Sequence, residues 1–226
     1  MITGETRLVG LLGDPVSGSL SPLMHNAAFA ACGLDWAYVP LPVQAERLED
    51  ALAGLVALGF AGANVTTPHK VAVAKLVSAG VPSVNTLVVR GGRLHGSSTD
   101  AAIFAELEFE RAAILGDGGA AAAFAAALPE APRFSRRGTW PPDVSGVDLV
   151  VNATSERQEV LVQLAAGQTL VDVPYPATAT AAAAAESGAR VVDGLDVLVA
   201  QGAVSFEVWT GIKAPAEVMR AAVRSR

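Results

Sequence analysis

The stretch Ala112-Ala113-Ile114-Leu115-Gly116-Asp117-Gly118-Gly119-Ala120-Ala121-Ala122 decides how the rest of the chain is read. A short apolar run, suited to a buried strand, passes directly into Gly116-x-Gly118-x-x-Ala121 and then into alanine, the strongest helix former. Strand, glycine turn and helix in that order are the context a dinucleotide-binding loop needs. The first glycine makes the turn, the second lets backbone approach a pyrophosphate, and the small third residue packs helix on strand. The N–H groups and positive dipole end of the helix then favour phosphate around Gly116, Gly118, Gly119 and Ala120. The same residues would also serve a tight turn that binds nothing. Asp117 is out of keeping with a pyrophosphate unless its carboxylate points away. About twenty residues beyond the glycines, where an NAD site carries an acid for the ribose, stand Phe134-Ser135-Arg136-Arg137. Arginine there suits the 2′-phosphate of NADP through planar charge-assisted hydrogen bonds; two solvated loop arginines are the alternative.

Outward from this loop, short apolar runs alternate with helical patterns. Candidate strands are Leu8–Leu12, Trp36–Val39, Gly62–Val65, Val84–Val89, Ala113–Leu115, Asp148–Val151, Thr169–Val173 and Ala189–Val192. Gln44–Leu58 repeats Leu48, Leu52, Leu55 and Val56 at helical spacing, the alanine tracts Ala120–Ala127 and Thr178–Ala185 read as helices, and Pro215–Arg226 is an amphipathic helix with Val218, Met219 and Val223 on one side. Val84–Arg90 and Arg93–Gly96, separated by two glycines, form a hairpin. The alternation predicts α/β architecture with largely parallel sheets. We expect an N-terminal α/β domain over 1–100, joined by C-terminal helices at 212–226, and a reduced Rossmann-like dinucleotide-binding domain over 101–211.

The chain has 226 residues, enough for one large or two small domains with a core that needs no disulfide or metal. Apolar residues make up 51% and charged ones 17%, which excludes a disordered chain or a coiled coil. The single cysteine, Cys32, excludes an internal disulfide or a cysteine zinc site. A net charge of -6 gives no field toward nucleic acid or anionic lipid. Pro15–Leu34 and Ala51–His69 lack charge over about the length of a membrane span, but their prolines, serines, threonines, Asn26, Asn64, His25 and His69 exclude an apolar helix. Glu5 stands where a signal peptide wants positive charge. The expectation is a cytoplasmic protein with a small-molecule substrate, monomer or homodimer, without membrane or nucleic-acid partners.

In the first half, Gly13-Asp14-Pro15-Val16-Ser17-Gly18-Ser19-Leu20-Ser21-Pro22 follows the first strand. Ser21 before Pro22 reads as a helix start, N-cap then N1. Ser17 and Ser19 are then ordinary loop serines, or part of a hydroxyl-rich pocket at a strand's carboxyl end. Gly62-Ala63-Asn64-Val65-Thr66-Thr67-Pro68-His69-Lys70 is a strand running into a proline-led helix. Lys70 falls in the first helical turn, where the dipole disfavours a cation; it is either a surface lysine or one placed for acid–base work. His69 reads as a surface or packing residue. Asn85-Thr86 and Ser98-Thr99-Asp100 are explicable structurally, Asp100 as an N-cap. Asn152-Ala153-Thr154 matches a glycosylation sequon that means nothing without secretion. No His/Cys/Asp cluster has metal-ligand spacing.

Taken together and in order, these pieces resemble the shikimate dehydrogenase family. The opening glycine, proline and serines before S-P and H-N stand at Gly13–Asn26, and N-V-T-x-P-H-K is Asn64–Lys70 without a mismatch. V-N-T is Val84–Thr86, T-D is Thr99–Asp100, G-x-G-G-A is Gly116–Ala120, and N-A-T is Asn152–Thr154. Asp193-Gly194-Leu195, Gln201-Gly202-Ala203 and Phe206-x-x-Trp209-Thr210-Gly211 match the closing block. The resemblance implies NADP-dependent reduction of 3-dehydroshikimate to shikimate, with Lys70 and Asp100 as the catalytic pair. It implies that Ser19, Ser21, Thr66, Asn85, Tyr175 and Gln201 bind substrate, with Asp100 beside them. Gly116, Gly118, Gly119, Ala120, Arg136, Arg137, Asn152 and Thr154 would bind cofactor. A quinate or aminoshikimate dehydrogenase, or a non-catalytic relative binding a shikimate-like ligand, are the other readings. Departures from the family are Gly18 in place of a histidine, Ser98 in place of an asparagine, and Ser155–Gln158 in place of a Gly-Met loop. Only Gly138–Val147 precede the strand at Asp148, and a parallel crossover with its helix needs at least about 10–12 residues. One Rossmann helix is expected to be missing.

Overall fold

Val9, Leu11 and Leu12 are almost fully buried along β1 (Arg7–Gly13), the pattern of a strand covered on both faces at the centre of a sheet. In the computed structural model, which describes residues 2–225, the chain divides into two α/β units, Met1–Thr99 with Val199–Arg226, and Asp100–Leu198. In the first unit β1 lies between β2 (Trp36–Pro42) and β3 (Gly62–Val65), parallel to both. The antiparallel hairpin of β4 (Thr86–Arg90) and β5 (Arg93–Ser97) completes the order β2-β1-β3-β4-β5. Gly91 and Gly92 close that hairpin with φ of 56° and 72°, a backbone region that favours glycine.

Helices cover this sheet as their spacing predicts. α2 (Leu48–Ala57) buries Leu48, Leu52 and Leu55, and α3 (Lys70–Leu76) buries Val73 and Ala74, in one core with Leu12, Val65 and Leu87. α1 (Ser21–Ala31) differs from expectation at its start. Leu20 is the capping residue, Ser21 already lies in the helix, and no side chain caps it. The Ser19 hydroxyl instead accepts the Ser21 N–H at 3.2 Å, an alternative turn that moves the helix start by one residue.

The second unit is all parallel. β6 (Ala112–Leu115) and β8 (Leu149–Asn152) are central, with β7 (Arg133–Phe134) on one side and β9 (Thr169–Asp172) and β10 (Arg190–Val192) on the other. α4 (Gly119–Ala127) follows β6, and α5 (Ala179–Glu186) precedes β10. The crossover from β7 to β8 has no helix, as expected, although at residues 135–148 it is longer than the segment Gly138–Val147 counted from the sequence. The crossover from β8 to β9 has none either, although its length would allow one. Val144, Leu161, Val162 and Leu164 from these two irregular segments join the core of β6, β8 and β9 and bury the sheet where helices would stand. Side chains satisfy their backbone: Gln168 donates to the Val147 carbonyl and accepts the Ala165 N–H, and Thr180 accepts the Leu161 N–H.

α6 (Gly194–Thr210) carries the chain back. The return to the first unit begins at Val199, inside this helix, rather than after residue 211. Phe206 and Trp209 are the reason: both are buried, and Trp209 Nε1 donates to the Leu87 carbonyl of β4 at 2.9 Å. α7 (Ala216–Arg224) then packs on α1, burying Met219 and Val223 and leaving Val218 exposed.

His25 of α1 is fully buried and stacks on Tyr38, with ring centroids 4.6 Å apart. Among the described residues neither of its ring nitrogens has a hydrogen-bond partner. Burial therefore holds it neutral and pushes its pKa down to about 3. Because the folded pKa lies below the unfolded one, the unfolded chain binds the extra proton, so stability is complete above about pH 6.5 and falls toward pH 3. The loss from this one group approaches about 4–5 kcal/mol at the acid end. Urea unfolding across that range should show the midpoint falling with pH, and His25→Phe should flatten the fall. An unchanged slope in the variant would assign the acid sensitivity elsewhere.

Candidate active site

Open α/β sheets bind ligands outside the carboxyl ends of strands, where the strand order reverses. The first unit has such a point between β1 and β3, and the second has one between β6 and β8. Ser19, Ser21, Thr66 and Lys70 follow β1 and β3 near the first of these points, and Gly116, Gly118, Asn152 and Thr154 lie at or after the ends of β6 and β8 near the second.

At the first edge, the loop after β1 carries half-buried Ser19 and buried Ser21. A side chain at Gly13 would run into Thr66 Cγ2, so the two loops close on each other only because Gly13 has none. Thr66 follows β3 directly; its carbonyl accepts the His69 N–H, and His69 is buried with Nε2 2.6 Å from the Val43 carbonyl. His69 is thus a packing residue. Lys70, half-buried, is the first residue of α3. Its carbonyl accepts the Val84 N–H at 3.0 Å, which ties the lysine's backbone to the segment carrying Asn85.

Asn85 is buried and fully engaged. Its Oδ1 accepts the Thr99 N–H at 2.8 Å and its Nδ2 donates to Thr99 Oγ1 and to Gln201 Oε1. The structure therefore brings together Asn85 and Gln201, far apart in sequence. Asp100, the buried first residue of a 3-10 turn over Asp100–Glu106, follows Thr99 directly. Tyr175, half-buried, lies in the loop after β9 in the second unit.

Beneath these residues runs a buried polar network that sequence reading did not single out. Asn64 accepts the Tyr38 hydroxyl at 2.9 Å and donates to the Asn85 carbonyl, Thr86 Oγ1 and Ser205 Oγ. Ser205 also lies 2.8 Å from Thr86 Oγ1 and 3.2 Å from Thr99 Oγ1. Asn64 stood inside a recognised motif, but nothing in the sequence pairs it with a serine of α6.

At the second edge, Gly116 has φ of 124°, and a Cβ there would sit 2.9 Å from the Ala153 carbonyl oxygen. Both facts demand glycine. Gly118 precedes α4 with no heavy atom within 4 Å of where its Cβ would be, and no side chain caps that helix. The space beside Gly118 is therefore open at the start of α4. The Asp117 carboxylate lies 3.7 Å from Arg137 Nη1. Asn152 and Thr154 serve the framework: Asn152 Nδ2 donates to buried Asp172 at 2.7 Å, and its Oδ1 accepts the Thr154 hydroxyl at 2.8 Å. Asp172, which sequence reading missed, also accepts from the Thr178 hydroxyl and N–H. Arg136 pairs with Glu159 and lies over the Trp140 ring. The N–H groups of Gln158, Glu159 and Arg157 all donate to Glu156 and hold its carboxyl below the usual carboxylate range. Among the described residues no cluster could hold a metal ion, and no helix is long and apolar enough to cross a membrane.

Comparison with known proteins matches both ends of the chain, residues that lie almost wholly in the first unit. A shikimate dehydrogenase substrate-binding domain model matches residues 11–87, and a shikimate 5′-dehydrogenase C-terminal domain model matches residues 194–224. A shikimate dehydrogenase (NADP(+)) of Anaeromyxobacter sp. strain Fw109-5 is 40% identical over 99% of this chain and 98% of its own length. A crystal structure of a shikimate dehydrogenase in complex with NADP+ aligns with a TM-score of 0.90 at 31% identity, covering 100% of this chain and 97% of that one. The shikimate 5-dehydrogenase of Thermus thermophilus, in complex with NADP(H) and shikimate, aligns with a TM-score of 0.84 at 30% identity over 97% and 99% of the two chains.

The buried network predicts its own cost. Asn64→Ala would remove the carboxamide acceptor of the Tyr38 hydroxyl and the donor shared by the Asn85 carbonyl, Thr86 Oγ1 and Ser205 Oγ in a buried network. Denaturant unfolding should show a loss of about 2–4 kcal/mol. A loss under about 0.5 kcal/mol, the range of ordinary surface changes, would show that the network is not cooperative.

Proposed function

Because the chain belongs to the shikimate dehydrogenase family, we propose that it reduces 3-dehydroshikimate to shikimate with NADP, and that Lys70 and Asp100 handle the proton. The observation that carries this reading is the place of Lys70. It opens α3 at the carboxyl edge of β3, against the helix dipole, with its backbone hydrogen-bonded to Val84 beside Asn85. A cation held there at structural cost suits a group that must give a proton to a carbonyl oxygen as it becomes an alcohol, and take it back in reverse. Asp100 would orient the ammonium and accept the substrate hydroxyl. Ser19, Ser21, Thr66, Asn85, Tyr175 and Gln201 would hold the hydroxyls and carboxylate of the ring. The hydrogen bond between Asn85 and Gln201, which brings two of these side chains together across 116 residues of sequence, supports that assignment.

The second edge fits NADP. The open approach to Gly118 and the uncapped start of α4 suit a pyrophosphate, with Gly116, Gly119 and Ala120 shaping the loop. Arg136 and Arg137 would take the 2′-phosphate, and Asn152 and Thr154 would hold the wall formed by the loop after β8. When bound, NADP supplies or accepts the hydride.

Two measurements test the reading. Lys70→Ala should lower kcat for shikimate oxidation, followed at the nicotinamide absorbance band, by about 10²–10⁴-fold, the range of general acid–base catalysis. Shikimate binding by calorimetry should survive in part, and a wild-type kcat would remove Lys70 from the mechanism. The double variant Arg136→Ala/Arg137→Ala should lose preference for NADP over NAD, each charge-assisted bond to phosphate contributing on the order of 1.5–3 kcal/mol. Equal affinity of the unmutated protein for both coenzymes would reduce the two arginines to surface charge.

A further inference from the structure

Both guanidinium groups offered to a 2′-phosphate are already paired with carboxylates. Arg137 faces Asp117 at 3.7 Å. Arg136 Nη2 donates to Glu159 Oε2 while its guanidinium lies 5.6 Å from the centre of the Trp140 ring. Glu159 comes from the β8–β9 crossover, the segment that has no helix, and its backbone is anchored there. Its N–H donates to Glu156 Oε1 at 3.2 Å, and its carbonyl accepts the Thr180 hydroxyl at 3.3 Å. The carboxylate is thus presented to Arg136 from a held segment of chain.

A carboxylate and a phosphate are alternative acceptors for the same planar guanidinium fork. We propose that Glu159 is a built-in occupant of the coenzyme-selecting arginine: it holds Arg136 until a 2′-phosphate displaces it, and so lowers the preference of this protein for NADP over NAD. The proposal rests on the reading that Arg136 takes the 2′-phosphate, and deepens it by naming the residue that opposes it. A coenzyme phosphate near neutral pH carries close to two negative charges. To enter, it must part Glu159 from Arg136 and then stand near the released carboxylate, with Glu156 close by on the same loop. NAD has no phosphate at this position and leaves the pair undisturbed. Both side chains of the pair are a little over half exposed, at 55% and 56%, so water screens the competition and its effect is moderate.

Calorimetric titration of the intact protein with NADP and with NAD, for wild type, Glu159→Gln, Arg136→Ala and the double variant, tests this. Glu159→Gln keeps the shape and removes the charge. It should tighten NADP by about threefold to tenfold at low salt, leave NAD within about twofold, and lose most of the gain at high salt. In the Arg136→Ala background the same substitution should give a smaller gain, since no guanidinium remains to be released. If Arg136→Ala weakens NADP but Glu159→Gln changes NADP by less than about twofold, or tightens NAD as much, the opposing role of Glu159 is wrong and Arg136 keeps its assignment. If Arg136→Ala leaves NADP binding unchanged, the reading of Arg136 falls and the proposal falls with it.

Discussion

The carboxamide of Asn64 is the point on which the first unit turns. It sits at the end of the buried strand β3, where every polar atom must find a partner, and its hydrogen bonds reach β2 through Tyr38, the start of β4 through Asn85 and Thr86, and α6 through Ser205. Those bonds tie the returning C-terminal chain to the sheet at the level where Thr66, Lys70 and Asn85 leave it. The indole of Trp209 repeats the attachment one layer further along β4. A returning helix held only by apolar contact could slide by a turn; one held by directional bonds to a buried amide cannot do so without orphaning several groups. Gln201 owes its position beside Asn85 to this registration.

The second unit meets a different constraint. A parallel sheet must be covered on both faces, and here two crossovers do so without helices. Val144, Leu161, Val162 and Leu164 supply the apolar cover, while Gln168 and Thr180 satisfy the backbone polar groups that a helix would have paired internally. At the β6 edge Gly116 turns against Ala153, and α4 starts at an open Gly118 with no side-chain cap. The two segments without helices are the connections from β7 to β8 and from β8 to β9. One consequence is local chemistry. The irregular β8–β9 segment brings Glu156 and Glu159 toward Arg136, so the charge balance around that arginine is set by the same loss of a helix.

Much of this was legible in the chain. The strands from Leu8 to Val192, the Gly91-Gly92 hairpin, the strand–glycine–helix unit at Gly116, and Lys70 at the head of α3 are all marked by sequence patterns a few residues long. The absence of a helix between β7 and β8 was expected from the short segment Gly138–Val147, although the connection between the observed strands runs over 135–148 and its length alone does not exclude one. Ser21 was misread by one position because Ser19, two residues earlier, offered the N–H a competing acceptor.

Alternation of period 2 and 3.6, turn glycines and ordered motifs are short-range properties, so the sequence by itself determined the α/β class, the element order and which loops carry polar residues to the strand ends. Only the tertiary structure decided what those residues meet. Asn64 finds Ser205, Asn85 finds Gln201, Asn152 finds Asp172 and Arg136 finds Glu159, each across many intervening residues. The missing helix between β8 and β9 belongs to the same class: its length permits one, and burial of Leu161, Val162 and Leu164 against the sheet overrides that local option. Partners of this kind are selected by how the chain returns on itself, and the free energy of satisfying a buried polar group depends on the neighbour that the fold supplies rather than on the residue alone.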